Sequence, residues 1–487
     1  MKRPTQYAIL FFACVLFHVV GTWTLPLLDR DEPRFAEASR EMIERGDYVV
    51  PHFNNDLRLD KPPLAYWAQA ASYRIFGEND FAARFPSAVA AALVALSIFA
   101  WGNRIGGERV GWRAVIIFTL SLQVFIHAKA AVADMWLVLF VTTAHWAGWE
   151  LIQQKRTPNV ERRTSNSEWV WWWTFYLSLA LGFLAKGPIA WVPLLTVACA
   201  KIFSPDVAFA KAFKFTRGIL VMLAIVALWG VPALVETRGE FLRIGLGKHV
   251  VARSILTMEG HGAQSLPGYL LLLPFYFVTI FVSFSPWSIK LPWLVKTLRR
   301  DRDKIDNYLL AGIAIVFVIL TFVSTKLPHY TLPAFPLLAP LLARHWQPTA
   351  AENRRSLFTV IAAATAALWL AIAAVVPPLI SESFPTYALF QQARNDLRPE
   401  MEFGAVDYAE PSLVWYFRDR VKGFFTPFNE KRAIAFMEKA GPRFVVMPTS
   451  LARTVLGNHS DWKTFSIQGI NIAKGKHVDL TLVLKAE

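Results

Sequence analysis

Apolar segments of roughly 15 to 22 residues recur along most of the chain, with short polar stretches between them. A helix that crosses a membrane needs about 20 mostly apolar residues. The first such segment, Tyr7–Leu27, follows two basic residues. The others are Phe81–Trp101, Ala114–Ala128, Met135–Ile152, Trp169–Ala185, Pro188–Phe203, Gly218–Val235, Pro267–Ile289, Leu309–Thr325, Leu327–Ala343 and Leu357–Pro378. This pattern predicts a mainly α, polytopic membrane helical bundle of about 11 to 13 spans.

The pattern changes after residue 380, where charges and turn residues become frequent. Apolar runs at Glu402–Val406 and Arg443–Met447 predict buried strands, and Thr464–Ile472 with Val478–Leu484 predicts a hairpin around a glycine. Pro411–Arg420 and Glu430–Ala440 predict helices. We therefore expect a transmembrane domain over residues 1–380 and a small α/β domain over residues 381–487.

Composition supports a membrane protein. Of 487 residues, 54% are hydrophobic and only 18% are charged, whereas soluble proteins carry about 25% charged residues. The values exclude a disordered chain and a disulfide scaffold. Cys14 and Cys199 lie in apolar segments and are expected to pack as small core residues. The net charge of +15 lies mostly between spans, so we expect no nucleic-acid partner.

The basic residues also predict the orientation. They concentrate in alternate segments between spans, namely 2–3, 104–113, 155–163, 201–217, 290–304 and 344–355. Basic segments stay on the cytoplasmic side. The N-terminus is therefore expected in the cytoplasm, and an odd number of spans places the C-terminal domain on the outer face.

The first outer loop, residues 27–80, is the longest segment between spans. It holds eleven acids against seven bases. Pro33 and Gly46 suit a helix start and stop, and Leu64–Phe76 has a second amphipathic pattern. Helices of this kind lie at a membrane surface, so the loop is predicted to carry two interfacial helices.

Asp31 and Glu32 precede the first of these helices. A carboxylate at a helix start can stabilise the free amides and the dipole, which is an equally good explanation of Glu32. For Asp31 we favour a catalytic role, in which the carboxylate orients or deprotonates an acceptor.

Lys61 stands between Asp60 and two prolines that precede the second helix. The free amides of a helix start favour an anion, so Lys61 is a candidate for binding phosphate. The alternative is a lysine that reaches to lipid headgroups.

Further charges border the spans. Asp134 is a second catalytic candidate, although an ion pair with Lys129 would explain it equally simply. Lys186 and Lys326 occupy proline-containing turns on the outer side. Together with Lys61 they predict a phosphate pocket at the outer leaflet.

The loop Glu236–Leu266 adds Arg253, which suits a phosphate because arginine binds it with two hydrogen bonds. Asp60 and His249 form a weaker candidate for a divalent metal site, for Zn or for Mg/Mn. The chain has no glycine-rich phosphate loop or Walker motif. No nucleotide is therefore expected, and energy would come from an activated substrate or a gradient.

Several short motifs, taken in order, resemble ArnT-type glycosyltransferases of bacteria, which are akin to protein O-mannosyltransferases in the GT-C class. They are Asp31–Glu37, Asp60–Pro63, Phe81–Ser87, Ala185–Pro188 and Lys326–Pro333. Asp60 departs from the pattern, because the family commonly has Glu there.

The resemblance implies an inverting transfer of a sugar from an undecaprenyl phosphate carrier to lipid A or another envelope acceptor, at the periplasmic face of the bacterial inner membrane. The sugar would be 4-amino-4-deoxy-L-arabinose or a related one. Asp31 resembles the catalytic Asp of the first loop, and Arg34 the Arg of the same motif. Lys61, Asp134 and Tyr330 resemble residues that line the pocket for the carrier phosphate. The partners implied are the lipid-linked donor, the acceptor and membrane lipids, around a monomer.

Two alternatives remain open: an enzyme similar to protein O-mannosyltransferases, and a secondary transporter or flippase for an anionic lipid. A transporter of this kind would be expected to have paired repeats and charges at the middle of the membrane. Neither is evident in the sequence.

Overall fold

The computed structural model describes residues 3–154, 165–245, 247, 265–346, 357–455 and 461–487. Its helices are α1 (Arg3–Val19), α2 (Asp31–Arg45), α3 (Leu64–Phe76), α4 (Asp80–Gly106), α5 (Glu108–Leu120), α6 (Leu122–His127), α7 (Asp134–Gln154), α8 (Ser165–Lys186), α9 (Val192–Phe203), α10 (Phe209–Phe213), α11 (Phe215–Glu236), α12 (Leu266–Leu271), α13 (Phe275–Ser283), α14 (Leu291–Arg300), α15 (Lys304–Phe322), α16 (Phe335–His345), α17 (Leu357–Ile380), α18 (Pro385–Ala393), α19 (Pro411–Phe417), α20 (Glu430–Glu438) and α21 (Thr449–Val455).

Short 3₁₀ helices and strands complete the description. The 3₁₀ helices span Pro188–Trp191, Trp287–Lys290, Pro328–Ala334 and Ser381–Ser383. The strands are β1 (His52–Phe53), β2 (Asp56–Leu57), β3 (Glu402–Val406), β4 (Phe425–Phe428), β5 (Arg443–Pro448), β6 (Lys463–Asn471) and β7 (Lys476–Lys485).

The chain divides into two compact units. The first unit comprises Met1–His18, Leu59–Ala65 and Pro86–Trp369, and the second comprises Val19–Arg58, Tyr66–Phe85 and Leu370–Glu487. Most of the first outer loop therefore clusters with the C-terminal tail.

The first unit contains most of the predicted spans. Among the described residues, four helical segments are long and apolar enough to cross a membrane: Asp80–Gly106, Phe209–Glu236, Lys304–Phe322 and Leu357–Ser383. A fifth candidate is the pair Phe275–Ser283 and Trp287–Arg300, which is bent by 119°. The predicted polytopic helical membrane fold is confirmed. Other predicted spans coincide with helices that are shorter or less apolar, such as α1, α7 and α8.

One predicted span is divided. Leu327–Ala343 was expected to be continuous, but it forms a 3₁₀ helix followed by the eleven-residue helix α16. Pro333 and Pro336, on either side of the division, account for it, because proline lacks the amide proton of a regular helix and restricts the residue before it.

Close packing of the first unit depends on small residues at helix contacts. Gly218 of α11 lies against the ring of Tyr176 in α8, and a Cβ there would come within 1.9 Å of the ring. The Tyr176 hydroxyl donates to the carbonyl of Phe213, 2.9 Å away. Larger residues at position 218 would therefore separate the two helices.

The second unit contains a sheet of five strands in the described part of the chain, in the order β4-β3-β5-β7-β6. Strand β3 pairs in parallel with β4 and β5, whereas β7 pairs antiparallel with β5 and β6. The predicted small α/β domain is confirmed. Strand β4 was not predicted, because it is only four residues long and contains Pro427.

Candidate active site

The first unit contains a half-open cavity of about 800 Å³. Its wall is mostly apolar, with side chains from α7, α9, α11 and α15, and a few polar groups interrupt that surface. These polar residues are Asp60, Lys61, Asp134, Lys186, His329 and Tyr330. A mostly apolar cavity with a few convergent polar groups is the usual form of a ligand site.

Asp134 is positioned by the start of α7. It is the first residue of that helix and is 8% exposed. The preceding turn is held by the Ser87 hydroxyl, which donates to the carbonyl of Ala130 at 2.6 Å. A carboxylate at this position also interacts favourably with the helix dipole.

Lys186 pairs with Asp134. Its Nζ lies 2.5 Å from Oδ1 of Asp134, and both side chains are largely buried. Lys186 ends α8, and Gly187 turns the chain with a φ of 79° that an L side chain rarely adopts. Lys186 Nζ also lies 5.7 Å from the ring centroid of Tyr330. The sequence had left open a pair between Asp134 and Lys129, but Lys129 donates to the carbonyls of Phe17 and His18 at the end of α1.

Lys61 reaches the same cavity from the segment before α3. Its Nζ is 3.9 Å from Oδ2 of Asp60, and its side chain is 18% exposed. The predicted candidates Lys61, Lys186, Asp134 and Tyr330 are thus brought together.

Lys326 is placed differently. Its ammonium donates to the carbonyls of Leu320 and Thr321, at 2.9 and 2.6 Å, near the end of α15. It is 5% exposed and does not line the cavity. Cations at a helix C-terminus satisfy free carbonyls, so the contacts of Lys326 stabilise the end of α15.

Two candidates lie in the second unit. Asp31 is exposed at the first residue of α2, and Arg34 is half-buried one turn later. His249 and Arg253 lie outside the described residues, so the predicted metal pair of Asp60 and His249 stays a prediction, as does phosphate binding by Arg253.

Glu32, the neighbour of Asp31, is buried in the first turn of α2. Its two carboxylate oxygens accept hydrogen bonds from Arg84, at 2.9 Å from Nε and 2.7 Å from Nη2. Arg84 also donates to the carbonyl of Pro26. The backbone amide of Leu28 also donates to Oε2 of Glu32, at 2.8 Å. Glu32 therefore has a structural role beside Arg84, and its place in the first turn of α2 also suits the helix dipole.

The acidic loop is largely an ion-pair network inside the second unit. Arg418 contacts Glu37, Glu41 and Glu44 of α2, and Arg40 Nη1 lies 2.8 Å from Oε2 of Glu37. The side chains of Arg418 and Glu37 are 4% and 0% exposed. These acids therefore hold the loop against the C-terminal sheet domain.

Asp29 is another acid that sequence reasoning missed, and it is half-buried. It accepts hydrogen bonds from the backbone and hydroxyl of Ser412, at 2.9 and 2.6 Å. Burial raises the pKa of its carboxyl to about 7, although the bonds from Ser412 oppose the rise.

Two histidines accompany Asp134. His127 ends α6 and His329 lies in the 3₁₀ helix Pro328–Ala334, with ring centroids 4.8 Å apart. Within the described residues, His127, Asp134 and His329 form a group whose potential ligand atoms lie within 4.8 Å of one another. His127 could have been noticed because an ionisable residue in an apolar segment is unusual.

Comparison with known proteins finds relatives of this chain. Residues 60–230 match the family model described as dolichyl-phosphate-mannose-protein mannosyltransferase. The chain is 28% identical over 365 residues to a protein of Edwardsiella ictaluri named undecaprenyl phosphate-alpha-4-amino-4-deoxy-L-arabinose arabinosyl transferase, covering 73% of this chain and 62% of that protein. A Sodalis glossinidius protein of the same name, numbered 2, is 30% identical over 342 residues, covering 68% and 58%.

The fold has a solved counterpart. The crystal structure of ArnT from Cupriavidus metallidurans bound to undecaprenyl phosphate matches with a TM-score of 0.80 and 17% identity, over 99% of this chain and 98% of that chain. The resemblance to ArnT-like glycosyltransferases is confirmed. The solved structure shows that this chain has the ArnT fold. The chain spans roughly three fifths of the length of the two named relatives, consistent with the 62% and 58% covered.

Proposed function

We propose that this protein is an inverting glycosyltransferase that moves a sugar from a polyprenyl phosphate carrier to an envelope acceptor. The observation that carries the proposal is the cavity in which Lys61, Lys186, Asp134 and Tyr330 converge between apolar helices. The apolar wall suits a polyprenyl chain, and the cations suit its phosphate. The resemblance to ArnT-like enzymes favours undecaprenyl phosphate as the carrier.

The reaction is a single displacement at the anomeric carbon. The bond from that carbon to the carrier phosphate breaks with its electron pair going to the phosphate oxygen, while a bond to the acceptor oxygen forms. Lys61 and Lys186 stabilise the negative charge that develops on the leaving phosphate, and Tyr330 donates a hydrogen bond to it.

Two acids are proposed to act on the acceptor. Asp134 orients the acceptor and removes its proton when the acceptor is a hydroxyl, and Asp31 has the same role from the first loop. A phosphate acceptor such as that of lipid A needs no strong base, because the second pKa of a phosphate monoester is about 6. Positioning would then supply most of the acceleration. Arg34 and Arg253 are proposed to contact the anionic substrates.

The setting proposed for this reaction is the periplasmic face of a bacterial inner membrane, with the N-terminus in the cytoplasm and the C-terminal domain outside. Basic residues between alternate spans support that orientation. The donor proposed first is undecaprenyl phosphate-linked 4-amino-4-deoxy-L-arabinose, because the named relatives are transferases of that sugar. The enzyme is proposed to act as a monomer on lipid A.

A second candidate function is mannosyl transfer. It is favoured by the match of residues 60–230 to the mannosyltransferase family model. The same cavity would then hold a polyprenyl phosphate-linked hexose and pass the sugar to a hydroxyl of a protein.

The test is a purified protein in lipid nanodiscs supplied with either lipid-linked sugar. Mass spectrometry would follow the release of polyprenyl phosphate together with glycosylated lipid A or glycosylated peptide. We expect stoichiometric release of carrier and formation of product with the aminoarabinosyl donor and lipid A. If no carrier is released with either donor in the presence of either acceptor, the proposed transferase is overturned and a lipid transporter becomes the better explanation.

A further inference from the structure

We propose that His127, Asp134 and His329 form a binding site for a divalent transition-metal ion, with Zn²⁺ as the best match. These three side chains belong to separate elements: the end of α6, the start of α7 and the 3₁₀ helix Pro328–Ala334. The fold brings one potential ligand atom from each of them to within 4.8 Å of the others. This site is distinct from the pair Asp60 and His249 that the sequence suggested.

The donor set indicates the class of ion. Two imidazole nitrogens and one carboxylate oxygen suit Zn²⁺ and its first-row neighbours, whereas Mg²⁺ and Ca²⁺ prefer oxygen ligands alone. Zinc sites with three protein ligands keep a fourth position for water or substrate. Asp134 and His329 also line the cavity, so an ion held here would border the space proposed for the substrates.

The contacts around the ligands are of the kind that orient metal-binding side chains. Nδ1 of His127 lies 3.2 Å from the carbonyl oxygen of Gln123, one turn earlier in α6. Nδ1 also lies 3.0 Å from Nε2 of Gln123, so the side chain and the carbonyl of Gln123 both orient the imidazole ring, as contacts around metal-binding histidines commonly do. Lys186 donates to Oδ1 of Asp134, and ligating carboxylates are commonly held by such a second hydrogen bond.

A cluster of one carboxylate and two histidines has another explanation, namely protonated histidines that form ion pairs with Asp134. Metal binding distinguishes the two. An ion-pair cluster would bind Zn²⁺ only weakly. A three-ligand site would bind it tightly, and the affinity would fall when any one of the three ligand side chains is removed. The measurement needs no sugar donor, so its result is independent of the proposed transferase activity.

The experiment uses the full-length protein without a histidine tag, stripped with EDTA and dialysed against Zn²⁺ at controlled free concentration. Elemental mass spectrometry gives the stoichiometry and affinity, and Co²⁺ substitution gives the visible absorption of a site with nitrogen and oxygen ligands. We expect tight binding by the wild type. His127→Ala and His329→Ala should each weaken it about 10²-fold or more, since even contacts outside the ligands contribute 10- to 100-fold.

Three controls make the outcome decisive. His477→Ala changes an exposed histidine in strand β7 and should keep the wild-type affinity. His127→Gln and His329→Gln preserve side-chain bulk if the alanine variants unfold, and they should lose the Co²⁺ spectrum. Asp60→Asn and His249→Ala test the alternative pair. Undiminished Zn²⁺ binding by folded variants of His127 and His329, or loss confined to the Asp60 and His249 variants, would overturn the proposal.

Discussion

Lys186 Nζ lies 2.5 Å from Oδ1 of Asp134 at the wall of the apolar cavity. A cation this close stabilises the ionised carboxylate. The pair therefore brings a carboxylate and an ammonium to the same cavity. Of the two, only the ammonium of Lys186 is opposite in charge to a phosphate.

The first prediction concerns this carboxylate. Asp134→Asn should lower sugar transfer about 10²-fold or more, because Asp134 is proposed to position the acceptor, and a misplacement of about 1 Å can cost 10²-fold. Turnover of the purified variant with the lipid-linked donor is the measurement. Asp206→Asn changes an exposed acid 3.9 Å from Lys304 and serves as the control. Wild-type turnover by Asp134→Asn would remove Asp134 from the chemistry.

A second prediction separates two lysines. Lys61→Ala should raise the KM for the lipid-linked donor roughly 10- to 100-fold, since a hydrogen bond to a charged group contributes about 1.5–3 kcal/mol. Lys326→Ala should instead lower the melting temperature, because its ammonium satisfies carbonyls at the end of α15. Donor titrations and thermal unfolding of both variants test this contrast. If Lys326→Ala raised the KM strongly and left the melting temperature unchanged, Lys326 would belong to the donor site and its structural assignment would be wrong.

The neighbouring acids of α2 should behave differently from each other. Asp31→Asn is expected to abolish transfer with little change in melting temperature, since Asp31 is exposed. Glu32→Gln is expected to lower the melting temperature, because it weakens the buried pair with Arg84. Parallel activity and unfolding measurements would refute the catalytic assignment if Asp31→Asn retained full turnover.

The ion pairs of the second unit should dominate its stability. Arg418→Ala should lower the free energy of unfolding by about 3–5 kcal/mol, because it leaves buried carboxylates such as Glu37 without that partner. Arg420→Ala, in which a 57% exposed side chain is removed, should change it by less than about 1 kcal/mol. Thermal unfolding and limited proteolysis would compare the two, and equal effects would argue against the network.

Asp29 predicts a pH dependence. Burial raises the pKa of its carboxyl from 3.8 to about 7 in the folded protein, so folding favours the protonated form. The stabilisation from protonated Asp29 is complete below pH 3.8 and is lost as the pH rises through about 7. Asp29→Asn should remove this component, which melting temperatures between pH 5 and 8 would reveal. An unchanged slope in the variant would assign the dependence to other groups.

Much of the fold could be predicted locally. Helix α3 begins and ends at the predicted residues, α2 ends before the predicted Gly46, and β3 has its predicted bounds. These elements follow from apolar periodicity and from turn residues, which act over a few neighbouring positions. The division of Leu327–Ala343 is also a local effect of proline. It was not predicted because the apolar composition of this segment indicated one continuous span.

The sequence by itself determined that the protein crosses a membrane and that its tail is a small α/β domain. It also predicted a chemical role for Lys61, Asp134 and Lys186. Apolar length and residue type were enough for that. Only the tertiary structure decided which charges meet: Asp134 pairs with Lys186, Lys326 with carbonyls, and the acids of the first loop with Arg40, Arg84 and Arg418. Partners far apart in sequence are chosen by helix packing, because a buried charge is stable only where the fold supplies its counter-charge.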